Sequence, residues 1–367
     1  MLINKKYILT YCSNIFKTKN LKKLILNIKN YIKEFKNTQR HISICLSKNL
    51  LNNFIKKKQK NLFFLKKNLI RSINGFVYQD FHKKNIKEKI YLPDWTSKYR
   101  LLYTKNIILS IKNINEIKNN ISVSTMPLSY KEWTTEKQKP IIIYKSIKNI
   151  IKIISQTKNK NLINLAIEPE PYCILECYLD IINFYAIWIK KTAQKLKKHI
   201  RICYDICHFS VMFDKHEIAL KSINKKQIKL GKIQISSALK IITPQKLHYA
   251  KPLILTLFKL RHSNFLHQCI TKYKKNIKIY NDVNKIIKNL LNKKNIEIKI
   301  HCHIPLYKKK FKYFNTTHLE TKKTIKYIKS QPLTKNLEIE SYTYHFFFKK
   351  FCYTKSIKKE HVITIEE

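Results

Sequence analysis

Two short runs in the second half of the chain end in side chains that can hold a metal: Leu-Ala-Ile-Glu168-Pro-Glu170-Pro and Tyr-Asp205-Ile-Cys-His208. Each is an apolar, strand-like stretch that stops abruptly in a carboxylate. Pro169 and Pro171 lack the N–H that regular pairing needs, so the chain leaves a sheet at Glu168. Carboxylates suit hard divalent cations, and imidazole suits zinc or manganese. A carboxylate from one strand end and an Asp-x-x-His from a later one can meet at the C-terminal rim of a β/α barrel. The interval between them fits one helix with its loops, as two parallel strands require. The alternative for Glu168 and Glu170 is a solvated loop. For Asp205 it is the N-cap of the next helix, with His208 buried behind it.

Other runs carry compatible chemistry. His301-Cys-His303 lies on a strand-like stretch ending at Pro305. Residues i and i+2 share a face, so both imidazoles can converge. Glu338 and Glu340 share a face in the same way, with Glu340 nearer the rim. Gln234, flanked by isoleucines, offers an amide that can orient a partner or face solvent. Asn74 precedes Gly75, one of only two glycines. A glycine kept in so glycine-poor a chain points to a special backbone geometry, a close approach or a plain turn. His82 follows in an expected loop that can reach the mouth or lie on the surface.

These residues need a scaffold, and the chain alternates apolar strand-like segments with Lys-rich amphipathic ones. Strands are expected at residues 7–13, 41–47, 69–77, 121–126, 162–168, 200–205, 232–237, 296–305 and 337–344. Helical spacing marks 21–35, 142–154 and 174–196. In the last of these, Leu175, Leu179, Ile182, Tyr185, Ala186 and Ile189 are expected to form a buried stripe. Such repetition predicts a parallel sheet, and about eight repeats predict a closed barrel. Nine strand candidates are one too many, so either 232–237 or 296–305 belongs to an excursion.

The 367 residues can bury a large core. No run of about 18 apolar residues occurs, so no membrane-spanning helix is expected. Lys5 and Lys6 interrupt a very short apolar start, which argues against a signal peptide. The net charge of +53 would attract polyanions in a salt-dependent way. Excess Lys, Asn, Ile and Tyr with scarce Gly instead indicates an A+T-biased genome, and the lysines form no single arm. The nine cysteines sit mostly in strand-like runs, as buried thiols of a reducing compartment do. Phosphate-cradling loops, a nucleophile elbow and H-E-x-x-H are missing, which removes support for nucleotide-dependent chemistry and serine hydrolysis.

Taken in order, nine runs resemble one family. They are Leu-Thr-Tyr11-Cys12-Ser-Asn14-Ile, Ile-Asn74-Gly75-Phe76-Val-Tyr78, Ile-Lys-Glu-Lys-Ile-Tyr91-Leu-Pro93-Asp94-Trp95 and Ser122-Val-Ser-Thr125-Met-Pro127, then Leu-Ala-Ile-Glu168-Pro-Glu170-Pro, Cys203-Tyr-Asp205-Ile-Cys207-His208, Lys-Ile-Gln234-Ile-Ser-Ser237-Ala-Leu, His301-Cys-His303-Ile-Pro305 and Glu338-Ile-Glu340-Ser-Tyr342-Thr. Together, from about residue 8 to 345, they resemble the EboE family, called metabolite traffic proteins. The resemblance implies a xylose-isomerase-like TIM barrel, the class of sugar isomerases, epimerases and endonuclease IV. It implies metal ligands at Glu168, Asp205 and Glu340, with His208 on substrate or metal. It also implies an imidazole from the penultimate barrel strand, where Gln234 or His303 stands, depending on which strand is the excursion. It further implies a gene cluster for export of secondary-metabolite precursors, with a prenyltransferase-like membrane partner. Plastid genomes of some algae carry that cluster, which matches the A+T bias.

The expected protein is a single (β/α)8 barrel over residues 1–350, with an insertion around 240–295 and a tail at 351–367. It is expected in a plastid or in the cytoplasm of an A+T-rich bacterium. A divalent metal (Mn, Zn or Mg) is expected on Glu168, Asp205, His208, His303 and Glu340. Glu168, Glu340 and His208 are expected to be catalytic, and Asn74, His82, Glu170, Gln234 and His301 to touch a small metabolite. Isomerase- or epimerase-type chemistry follows. One rival is a non-catalytic barrel that hands a metabolite to the membrane partner. Another is an endonuclease IV-like enzyme, which needs more metal ligands than these; sequence-specific nucleic-acid binding is not expected.

Overall fold

Isoleucine-rich runs become strands because helices cover their outer face and a filled bore their inner face. Both faces of a strand are then apolar or tightly bonded. The computed structural model describes residues 2–3, 7–16, 18, 20–35, 41–56, 69–80, 86–112, 121–157, 163–192, 194–243, 250–286, 296–311, 314–343 and 353–366. Eight strands form the barrel: β2 (Tyr7–Cys12), β3 (His41–Cys45), β4 (Ile70–Asn74), β5 (Ile121–Thr125), β6 (Ile163–Ile167), β7 (Ile200–Asp205), β8 (Leu230–Ile235) and β14 (Asn336–Ile339). Each pairs in parallel with its neighbours, and β2 closes the ring by pairing with both β3 and β14. A two-residue strand, β1 (Leu2–Ile3), adds antiparallel to β2. The strands β4, β5, β6, β8 and β14 are buried throughout.

Helices return the chain between strands, including Leu21–Glu34 after β2, Lys139–Gln156 after β5 and His216–Lys225 after β7. The segment 351–367, expected as a tail, carries the helix Tyr353–Glu366 after β14, in the place of an eighth barrel helix. Its buried Glu360 accepts from Tyr11 Oη, Ser341 Oγ and the Leu306 N–H, tying it to the first and last strands.

The extra strand candidate is 296–305. Residues of β8 pair with β7 on one side and β14 on the other, with Gln234 opposite both Asp205 and Glu338. After β8 the chain builds a second, antiparallel sheet. It comprises β9 (Ser237–Ile242), β10 (Cys269–Tyr273), β11 (Asn276–Tyr280), β12 (Glu297–Ile304) and β13 (Asn315–Thr316), in the order β11-β10-β12-β9-β13. The insertion is therefore wider than 240–295. It opens at Ser237 and its last strand ends at Thr316, around a core of its own that includes Leu239, Leu257, Ile298 and Ile300.

The stripe expected across 174–196 holds in part. The helix starts at Tyr178, where Asp180 accepts from the Cys177 N–H in a capping box. A π turn at Tyr185–Ile189 then adds a residue to the turn and shifts the phase. Of the expected residues, Leu175 and Ile189 are buried and Ile182 and Tyr185 pack half-buried on the core, while Leu179 and Ala186 are exposed and Ile181 and Phe184 face the core as well.

Both glycines serve close approach, since neither has a positive φ. A Cβ on Gly231 would stand 2.4 Å from Asn164 Oδ1 and 2.6 Å from Ser122 Oγ, inside contact distance. Gly231→Ala is therefore expected to destabilise the fold by about 1–3 kcal/mol, the usual cost of overpacking. A urea midpoint unchanged from wild type would show that the bore can dilate.

Candidate metal centre

Three carboxylates meet at the C-terminal ends of barrel strands. Glu168 follows β6 and its N–H donates to the Thr125 carbonyl at 2.9 Å. Asp205 ends β7. Glu340 follows β14 and its N–H donates to the Ile235 carbonyl at 3.1 Å. These backbone bonds continue the parallel ladder past the strand ends, so the side chains are held at a set height. All three residues are buried, and their ligand oxygens lie within 4.8 Å of one another.

Each carboxylate keeps one oxygen without a hydrogen-bond partner: Glu168 Oε2, Asp205 Oδ2 and Glu340 Oε2. The second oxygens of two are engaged. Asp205 Oδ1 accepts from the His208 N–H at 3.1 Å, capping the helix Ile206–Val211. Capping therefore takes one oxygen of Asp205 and leaves the other in the carboxylate cluster. Glu340 Oε1 accepts from Asn14 Nδ2 and from Asn74 Nδ2. Buried orphan carboxylate oxygens are costly unless a cation meets them. The donor set fits a hard divalent ion.

Burial pushes the Glu168 carboxyl up to about 8, and the neighbouring Asp205 and Glu170 add to the rise. Burial likewise raises Asp205, and raises Glu340 well above the carboxylate range, with Glu168 and Glu338 contributing. Deeper in the bore, Lys232 Nζ donates to both oxygens of Glu338 at 2.8 and 2.9 Å. That ion pair holds Glu338 below the usual range against its burial.

Three imidazoles stand over the carboxylates. His208 Nε2 lies 3.1 Å from His301 Nε2 and 3.3 Å from His303 Nε2; the last two are 3.0 Å apart. His301 and His303 come from β12, the excursion strand, and reach over the barrel mouth. Gln234 does occupy the penultimate barrel strand, but its amide is turned inward. Its Nε2 donates to Glu338 Oε1 at 3.4 Å, and its oxygen accepts from Cys203 Sγ. The structure thus places the Gln234 amide at the floor of the bore, below the residues that line the cavity.

Glu170 joins the site at its side. It accepts from Tyr91 Oη at 2.7 Å and from Gln268 Nε2 at 3.3 Å, and burial lifts its carboxyl to about 8. Asn74 braces Glu340 and also accepts from the Phe76 N–H. His82 lies outside the described residues. Sequence reasoning did not assign Asn14, Tyr91, Lys232, Gln268 or Tyr342 to the site. Asn14 and Tyr342 lie shortly past the ends of β2 at Cys12 and β14 at Ile339, and position beyond a barrel strand end was a usable signal for both. A cavity of about 40 Å³ opens above the carboxylates, lined by Glu168, Glu340, the three histidines and apolar residues such as Phe76 and Ile90.

No family model and no curated protein matches the chain. Solved structures do. One is the IolI protein with a binding zinc atom, at a TM-score of 0.53, 13% identity and 98% coverage of both chains. A D-tagatose 3-epimerase-like protein gives 0.49 at 11% identity, with the same coverage. The probable 3-DHS dehydratase AsbF of petrobactin synthesis, from Bacillus anthracis, gives 0.48 at 10% identity, again over 98% of each chain. The feature shared with the IolI protein is the fold, a closed parallel TIM barrel.

The buried carboxyls make stability depend on pH when no cation is bound. Glu168 and Glu170 titrate at about 8 in the fold against 4.5 ordinarily, so the folded chain holds protons that the unfolded chain has lost. Stability then falls as pH rises toward 8. Buried His208 and His303, lowered to about 3 and about 4 from 6.5, act in the opposite sense, but only below about pH 6.5. Between pH 7 and 8 the carboxyls act alone, at about 1 kcal/mol per pH unit for each. Urea melts with chelator present are expected to show that loss, and a gain in stability across the window would contradict it.

Proposed function

We propose that this protein is a divalent-metal enzyme that isomerises or epimerises a small polyhydroxylated or carbonyl-bearing metabolite. The observation that carries the reading is the set of three orphaned carboxylate oxygens on Glu168, Asp205 and Glu340 at the barrel mouth. A divalent cation held there would polarise a substrate oxygen and acidify the adjacent C–H. Glu168 and Glu340 stand at the ends of β6 and β14 and both line the cavity. One can take the proton from carbon and the other can return it. The paired amides of Asn14 and Asn74 hold Glu340 Oε1 and aim its other oxygen into the site. Phe76, Val77 and Ile90 wall the cavity with apolar surface, which keeps water from the proton being moved.

We place this activity in metabolite traffic of the EboE kind, with a prenyltransferase-like membrane protein as partner and a plastid as setting. The support is the ordered series of nine runs from about residue 8 to 345 and the A+T-type composition. No described helix is long and apolar enough to cross a membrane. Membrane association would therefore come through that partner.

Two measurements test the enzyme. Mn²⁺ is expected to raise the thermal midpoint of the wild type, and Asp205→Ala/Glu340→Ala is expected to lose that gain. In D₂O, the wild type is expected to place deuterium beside the carbonyl of one member of a ketose and hydroxy-carbonyl panel. Glu168→Gln, measured at saturating Mn²⁺, should lower that exchange by about 10²–10⁴-fold. Exchange unaffected by Glu168→Gln would remove this residue from the proton path.

A further inference from the structure

We propose that His208, His301 and His303 form a second metal centre, a tri-imidazole zinc site beside the carboxylates. The tautomer of each ring is set by its other nitrogen. His208 Nδ1 lies 2.8 Å from the Pro169 carbonyl and His303 Nδ1 lies 3.0 Å from the Glu340 carbonyl. Carbonyl oxygens only accept, so both Nδ1 atoms carry the proton. His301 Nδ1 meets Gln268 Oε1 at 2.8 Å. The Gln268 amide cannot be reversed, because its nitrogen donates to Glu170 Oε1 and to the Pro171 carbonyl. His301 Nδ1 is therefore a donor as well.

All three Nε2 atoms are then bare lone pairs, and they face one another at 3.0, 3.1 and 3.3 Å with no hydrogen between them. Three acceptors at that spacing repel. A shared proton lies between two atoms and would relieve one edge of this near-equilateral triangle. A metal ion relieves all three. Zinc–imidazole bonds of about 2.0–2.1 Å in tetrahedral geometry place ligand nitrogens about 3.3 Å apart, close to the observed edges. Each ring also donates its far N–H to a carbonyl or amide oxygen, the outer-sphere pattern that orients metal-bound histidines.

This centre differs in kind from the carboxylate one. Three neutral nitrogens select a borderline cation such as zinc, and three carboxylate oxygens select magnesium or manganese. Asp205 Oδ2, an orphan oxygen, lies 3.9 Å from His208 Nε2, so it borders both sets of ligands. A fourth ligand would come from the cavity that His208, His301 and His303 line. It would take a second substrate oxygen or a water. Substrates with two neighbouring oxygens, such as hydroxy-carbonyl compounds, suit the pair. The imidazole site does not depend on the isomerase reading and stands if no proton exchange is found.

Full-length protein, stripped with chelator, is dialysed against ZnCl₂ and MnCl₂ together and its metals counted by mass spectrometry. The wild type is expected to hold one zinc and one manganese. His303→Gln is expected to lose the zinc and keep the manganese, and Glu168→Gln to keep the zinc. Gln268→Ala, which removes the acceptor behind His301, should weaken zinc binding by about 10–100-fold. Cobalt in the wild type should show the intense visible bands of a tetrahedral site, a readout independent of any variant's folding. A single metal equivalent, full zinc retention in a folded His303→Gln, or only weak octahedral cobalt bands would overturn the proposal.

Discussion

Like charges crowded into a sealed bore constrain everything at the top of this barrel. Glu168, Asp205, Glu338 and Glu340 project from β6, β7 and β14 with at most 4% of any residue exposed. Two unit charges about 5 Å apart at an effective dielectric near 20 repel by about 3 kcal/mol. Lys232 removes one of the four, because it bonds both oxygens of Glu338 while Ser72 Oγ donates to the same carboxylate. The floor of the bore is thereby neutral and rigid. Glu340 sits two residues further up the same chain segment and has no such partner, so its carboxyl moves in the opposite direction. The barrel separates a structural carboxylate from three that await a counter-charge by the reach of a single lysine.

That division explains what the excursion contributes. The residue on β8 that faces Asp205 across the sheet is Gln234, and its amide is committed to the floor. The barrel strands provide no imidazole at that point, so β12 delivers two from above. Their placement is backbone-driven. His303 Nδ1 donates to the Glu340 carbonyl, Thr343 Oγ1 donates to the His303 carbonyl, and the His301 N–H donates to the Gln268 carbonyl. Each bond joins the excursion to β14 or to its own neighbouring strand. The second sheet is therefore part of the centre, and the site is complete only when both sheets are folded together.

Most of the barrel was legible because burial on two faces forces a recognisable composition. Residues 121–126 and 200–205 read as strands and fold as Ile121–Thr125 and Ile200–Asp205. The choice between 232–237 and 296–305 was not legible, since both runs have the same local pattern. Pairing with β7 and β14, partners distant in sequence, decides it. The helical stripe at 174–196 held at Leu175 and Ile189, with Ile182 and Tyr185 packed on the core, and missed at Leu179, which lies before the π turn, and at Ala186 within it. Among the site residues, Glu168, Asp205 and Glu340 were visible as strand-end acids in a chain poor in acids. Gln268 was not visible. Its role comes from standing between His301 and Glu170, and only the folded excursion brings those two together.

The composition has a further physical consequence. Of 22 acidic residues, Glu168, Glu170, Glu176, Asp205, Asp282, Glu338, Glu340 and Glu360 are all buried. The surface is therefore more lopsidedly basic than the total of +53 conveys. Such a surface repels small cations and draws in anions over roughly one Debye length. Long-range attraction cannot be what retains a metal here. Retention has to come from contact with desolvated oxygens and nitrogens within a few ångströms. The same field favours anionic over cationic small molecules at the mouth, a preference that should weaken with added salt, whereas contact with desolvated ligand atoms would be little changed.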